Sequence, residues 1–253
     1  MSIFGSFFGE CRRDPTPAEA ARAALLERFE SYEEFGRIVG QISLRREDVF
    51  VPMQAPARRK LPRGWQRFTL APVQTWITAS DELLHLRPSG LDLPPYYYQD
   101  QRNAIALVDE GTGICAAAGA NLDEQGRVLI GQLQGYDRDQ ARGPLRSGII
   151  KWRPSLVRAW MDAAREFGAD TLGIQSSEND PHAASVGSRE LMREMGFEAF
   201  VQYETEQPFE ALARARELGQ QALYPLYDGV ADDMGFTRDE ANRNWYLPLA
   251  AVS

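Results

Sequence analysis

Residues 103–136 read NAIALVDEGTGICAAAGANLDEQGRVLIGQLQGY, and the fold turns on them. AIALVD, GICAAAGA and RVLIGQLQG are apolar runs parted by EGTG and LDEQG. Gly, Asp and Asn at such breaks suit tight hairpins, so the stretch predicts an antiparallel meander. Ala116, Ala117, Ala118, Gly119 and Ala120 carry little side chain, which lets another backbone or a ligand come close to the middle strand.

Beyond the loop DRDQARGPLRSGIIKWR, a helix is predicted over 154–167. Leu156, Val157, Trp160, Met161, Ala164 and Phe167 mark its apolar stripe, and Gly168 ends it. That stripe is too apolar to face water, so the helix should lie on the sheet. Residues 171–175 read as a short buried strand of the same sheet, and ENDPHAASVG as a polar loop. SRELMREMGFEAFVQYE (188–204) then predicts a helix, a Gly-Phe stop and a strand. A helix over 208–218 should stop at Gly219. A second helix, Gly-Phe and strand unit follows in YDGVADDMGFTRDEANRNWYLPL (227–249), with Leu226, Val230 and Met234 as its apolar stripe.

Upstream, Thr16, Pro17 and Glu19 form a capping-box start for a helix reaching Tyr32. Phe35, Ile38 and Val39 suggest a second, shorter one. Residues 51–67 hold three prolines and the basic cluster Arg58, Arg59, Lys60, Arg63 and Arg67. They read as a solvated connector or as an anion-binding loop. Strand patterns resume over 68–86, and RPSGLDLPPYYYQDQ reads as an irregular loop. At least one of Tyr96, Tyr97 and Tyr98 should point into a cleft or a partner. The expected fold is thus α+β or α/β, a mixed sheet with flanking helices. An N-terminal helical segment and basic linker (1–67) would precede the main domain (68–253).

Composition narrows the function. Of 253 residues, 43% are hydrophobic and 25% charged, the balance of a soluble globule. The net charge of −8 disfavours nucleic acid as a partner. Cys11, Cys115, His85 and His182 lack metal-ligand spacing, so no metal is expected, and a reducing cytoplasm is the plain setting. MSIFGSFFGECRRD is too short and too broken for a signal peptide or a membrane span.

Meander, loop, long helix, strand, polar loop, then helix ending in Gly-Phe: over residues 100–205 this order resembles the GNAT superfamily of N-acetyltransferases. WMDAAREFGADTLGIQSSEN and LMREMGFEAF carry the resemblance. It implies acetyl-CoA or another acyl-CoA as cofactor, with its pyrophosphate on a loop at a helix N-terminus. The residues so implied are Gln134 on the last meander strand, then Arg142, Arg146, Ser147 and Gly148. RDQARG has the family's loop spacing but lies far from the helix, and LRSGII is better placed but puts Ile150 where a small residue is usual. The family's tyrosine general acid, four residues before the Gly-Phe glycine, falls on Met192 and Ala231 here. Glu178, Asp180 and His182 form the cluster from which a base for an amine would come. The terminal unit also looks like that of some bacterial GNAT-like proteins, in which a Tyr-Asp pair (here Tyr227 and Asp228) opens the last helix. Two functions stand open: an acyl-CoA-dependent N-acyltransferase acting on an unknown amine, or a catalytically inactive GNAT-like binding or regulatory protein working through protein contacts.

Overall fold

The computed structural model describes residues 14–45, 68–77, 83–86, 101–109, 113–135 and 151–250. Helices α1 (Pro17–Glu30) and α2 (Tyr32–Gln41) come first, then strands β1 (Phe68–Ile77), β2 (Leu83–Leu86), β3 (Asn103–Asp109), β4 (Gly113–Leu122) and β5 (Val128–Gly135). Helix α3 (Trp152–Phe167) leads to β6 (Thr171–Ile174). Helices α4 (Ala183–Met195), α5 (Phe197–Glu206), α6 (Pro208–Leu223) and α7 (Asp228–Asp233) precede β7 (Thr237–Arg238) and β8 (Trp245–Pro248). The described strands form one mixed sheet in the order β2-β1-β3-β4-β5-β6-β8-β7. Every pairing is antiparallel except β5 with β6.

Alternation along β3 and β4 divides the core. Ile105, Leu107, Ala116, Ala118 and Ala120 face the larger cluster, while Ala104, Ala106, Val108, Ile114 and Ala117 join Val73 in a separate one. The small residues of β4 make room for aromatic rings. Phe29, Phe35, Trp160 and Phe167 gather in the larger cluster, with Phe35 and Trp160 centroids 5.7 Å apart. The Trp160 indole N–H donates to the Ala118 carbonyl at 2.7 Å, so helix α3 lies on the sheet as its stripe predicts. Helices α1 and α2 share that core through Phe29, Phe35, Ile38 and Val39.

The capping box forms as expected. Glu19 N–H donates to Thr16 Oγ1 at 3.2 Å and Thr16 N–H to Glu19 Oε2 at 2.7 Å. Helix α3 starts two residues before Pro154, which falls in the first turn where its missing N–H has no helical acceptor.

One predicted strand is a helix. Residues 197–204 belong to α5, entered through Gly196 at φ 85°. FEAFVQYE satisfies two periods at once: Phe197, Ala199, Val201 and Tyr203 alternate, and Phe197, Phe200 and Val201 share a helical face. The edge of β6 is already taken by β8, so this segment has no ladder to join. The second Gly-Phe unit closes the sheet instead, and α4 to α6 form a helical excursion between β6 and α7.

Helices α1, α2 and α3 are tied at one point by charge. Arg28 donates from Nη1 to the Phe167 carbonyl at 2.9 Å and from Nη2 to Glu34 Oε1 at 2.9 Å. Hydrogen bonds from Arg37, then Arg28, hold the Glu34 carboxyl down at about 2. A depressed carboxyl adds stability above its unfolded pKa and loses it as pH falls through the folded one. Glu34→Gln is therefore expected to flatten the stability curve between pH ~4.5 and ~2 and to leave its shape at neutral pH unchanged. Chemical denaturation of both proteins across that range checks it; parallel acid limbs would contradict it.

Candidate functional site at the fork between β5 and β6

The parallel pair is short. It runs from Val128↔Leu172 to Ile130↔Ile174 and ends with Gln175 N–H on the Ile130 carbonyl at 2.8 Å. On the other edge of β5, Gly119 faces Gln132 while Ala120 faces Ile130, which leaves Gly131 as the extra residue of a β-bulge. A bulge bends its strand and sharpens the twist, and here the bend coincides with the end of pairing to β6. Gly131 fits because a Cβ there would lie 2.6 Å from Gln101 Nε2.

Tyr227 fills the fork. It stands at the N-terminus of α7, is buried, and its hydroxyl meets the β5 edge where β6 has left. Leu133 N–H donates to it at 3.4 Å, and the hydroxyl donates to the Gly131 carbonyl at 3.5 Å. Both bonds are long, so these backbone groups are weakly satisfied. Asp228, only 1% exposed, holds the other arm. Its Oδ2 accepts from Ser177 N–H at 2.9 Å and its Oδ1 from the Trp245 indole at 2.8 Å. The Tyr-Asp pair thus pins β5, the segment after β6, and β8 together.

Polar groups line the rest of the fork. Ile130 and Leu133 join the Trp160 core, while Gln132 turns the other way and donates from Nε2 to Gln134 Oε1 at 2.8 Å. Gln101 and Gln175 lie close to the bulge at Gly131. Ser176 is fully buried; its N–H donates to Asn244 Oδ1 at 3.1 Å, and its Oγ has no hydrogen-bond partner among the described residues. A buried hydroxyl without a partner is costly unless water or a ligand supplies one.

The base candidates sit beside this fork with partners of their own. Glu178 is ion-paired with Arg238 at 2.7 Å and lies 3.7 Å from Arg243. The same bond, chiefly, raises the Arg238 pKa. Asp180 is buried and caps the turn into α4, accepting from His182 N–H at 2.7 Å. His182 is half-buried at the start of that helix. The three side chains serve one loop.

Of the cofactor candidates, Gln134 is at the end of β5 as described, whereas Arg142, Arg146, Ser147, Gly148 and Ile150 lie outside the described residues, as do Arg58–Arg67 and Tyr96–Tyr98. The N-terminus of α3 offers Arg153, which no motif or spacing singles out. Its guanidinium lies 5.1 Å from the Trp152 ring centroid, its Nε is buried without a hydrogen-bond partner among the described residues, and burial lowers its pKa. Trp152 itself rests beside Gly135, at the end of β5. Tyr227 did leave a trace in the sequence: it precedes Ala231 by four residues, one helical turn before the family's acid position.

An open groove of about 470 Å³ lies elsewhere, lined by Arg45, Arg158, Met161, Asp162, Arg165, Asp233 and Met234. Its Arg165 is already paired with Asp162 at 2.9 Å, and none of the fork residues reaches it. Among the described residues no group of His, Cys, Asp and Glu could hold a metal ion, and no described helix is long and apolar enough to cross a membrane. No protein-family profile, curated protein or solved structure matches this chain.

Proposed function

We propose that the chain is a GNAT-like, acyl-CoA-dependent N-acyltransferase whose cofactor lies in the fork between β5 and β6. One observation carries this reading: a parallel pair that parts at a bulge, where the Leu133 N–H and Gly131 C=O meet a phenol at 3.4 and 3.5 Å. Those two groups suit a pantetheine amide, and Ser176 Oγ, just beyond the end of β6 and without a partner among the described residues, is a further polar group for a ligand to meet. At the start of α3, Arg153 and the positive end of the helix dipole suit a diphosphate. Bound there, the cofactor would supply an activated acyl carbonyl. Tyr227 Oη holds a proton at the fork, and Asp228 fixes the helix that carries it. The loop of Glu178, Asp180 and His182 borders the same opening and would receive the amine.

A second reading has its own support. The Tyr227 hydroxyl already occupies the β5 groups that a pantetheine would use, as expected of a shell that binds protein partners and no cofactor. Calorimetric titration with acetyl-CoA separates the two. The enzyme reading expects binding that Arg153→Ala weakens. It also expects Tyr227→Phe to retain binding while thiol release with a panel of primary amines falls about 10²–10⁴-fold. Bound at 100 times its dissociation constant, acetyl-CoA should add about 2.7 kcal/mol to stability. No heat and no stabilisation at millimolar acetyl-CoA would leave the binding protein.

A further inference from the structure

Helix α5 is a ten-residue helix with no buried residue. Helices of that length are marginal in water unless an apolar face is covered. Phe197 and Val201 of its stripe are instead open, at 67% and 42% exposure, and Phe200 between them is half-buried. Helix α6 continues the feature. It buries Ala211, Ala215 and Gly219 against its neighbours, yet presents Phe209 at 87% and Leu212 at 57% exposure. Met195 is exposed at the end of α4. So many large exposed apolar side chains within one short stretch mark an interaction surface.

Charge says what covers it. Between residues 194 and 212 stand Glu194, Glu198, Glu204, Glu206 and Glu210, and no Lys, Arg or His. None of these five glutamates is ion-paired among the described residues; the nearest arginines, Arg193 and Arg214, pair with Glu190 and Glu217. A second copy would set this acidic face against itself, which costs association energy. We propose that the α5–α6 face receives a basic amphipathic segment of a partner protein. Its apolar side chains would pack on Phe197, Val201, Phe209 and Leu212, and its Lys or Arg residues would meet the glutamates. An amphipathic helix with anchors at i, i+3 and i+4 has the matching geometry.

The test uses the full chain and two synthetic probes of equal length, a Lys/Leu amphipathic helix and a Glu/Leu one, read by fluorescence anisotropy. The Lys/Leu helix should bind, with affinity falling as salt rises, and the Glu/Leu helix should not. Phe209→Ser with Leu212→Ser should raise the dissociation constant about thirtyfold, and both positions are exposed enough to leave folding intact. Glu198→Gln with Glu210→Gln should weaken binding and flatten its salt dependence. Failure of the Lys/Leu helix to bind, or binding indifferent to both pairs of substitutions, overturns the proposal. So does a dimer in sedimentation that the Phe209 and Leu212 changes dissolve, because the occupant would then be a second copy.

Discussion

Trp160→Ala is expected to cost about 3–5 kcal/mol of folding stability. The side chain is fully buried at the centre of the larger core, between the rings of Phe29 and Phe35 on one side and the alanines of β4 on the other. Truncation removes a large apolar area and leaves a cavity that Ala116, Ala118 and Ala120 are too small to fill. It also takes the indole N–H away from the carbonyl of the fully buried Ala118, which adds to the loss. Trp160→Phe should recover much of the packing while losing that bond, at a cost of about 1–3 kcal/mol for the buried carbonyl left without its donor. Urea unfolding of both variants checks the pair. A loss near zero for the alanine variant would mean that α3 does not sit on the sheet.

Gly187→Ala is expected to destabilise by about 3 kcal/mol, the upper end of what overpacking usually costs. Glycine inside an exposed helix is ordinarily a defect, and alanine there gains about 1 kcal/mol. Here the sign reverses. A Cβ on Gly187 of α4 would stand 1.6 Å from the Ala215 carbonyl oxygen of α6, and one on Gly219 would stand 1.6 Å from the Ala183 oxygen of α4. The clash is with backbone on both sides, so no rotamer relieves it and the two helices must part. Buried Ala183, Leu191, Ala211 and Ala215 line the same seam and would be loosened with it. Gly219→Ala should behave alike, and the double variant should cost less than the sum, since one separation serves both. Stabilisation of about 1 kcal/mol by either change, measured by thermal or urea unfolding, would show that the helices are not in backbone contact.

Several elements were legible in the sequence because their causes are local. The meander of β3 to β5 followed from apolar runs broken by turn residues, the start of α1 from Thr16 and Glu19, and the seat of α3 from a stripe that includes Trp160. Local pattern also failed at 197–204, where alternation and helical spacing coincide and only the occupied edge of β6 decides between them. It failed again at Gly219, expected to stop a helix that runs through it to Leu223 because the glycine is held in the seam against α4.

The candidate site was less legible, since its parts are distant in the chain. Gln134 and the Tyr227–Asp228 pair were visible as residues, but their meeting was not. That Tyr227 reaches Gly131 and Leu133, some ninety residues away, depends on a bulge whose only local sign is a glycine in a strand. Glu178, Asp180 and His182 looked like a catalytic cluster because turn residues and catalytic residues are drawn from the same types; the partners they take, Arg238 and the backbone of α4, were settled by packing. The sequence alone determined which segments could be strands and helices and which faces had to be buried, because burial periodicity is written residue by residue. The tertiary structure decided where β5 and β6 part and which side chains meet in the gap, because backbone groups at a fork are satisfied by whatever the rest of the chain brings there.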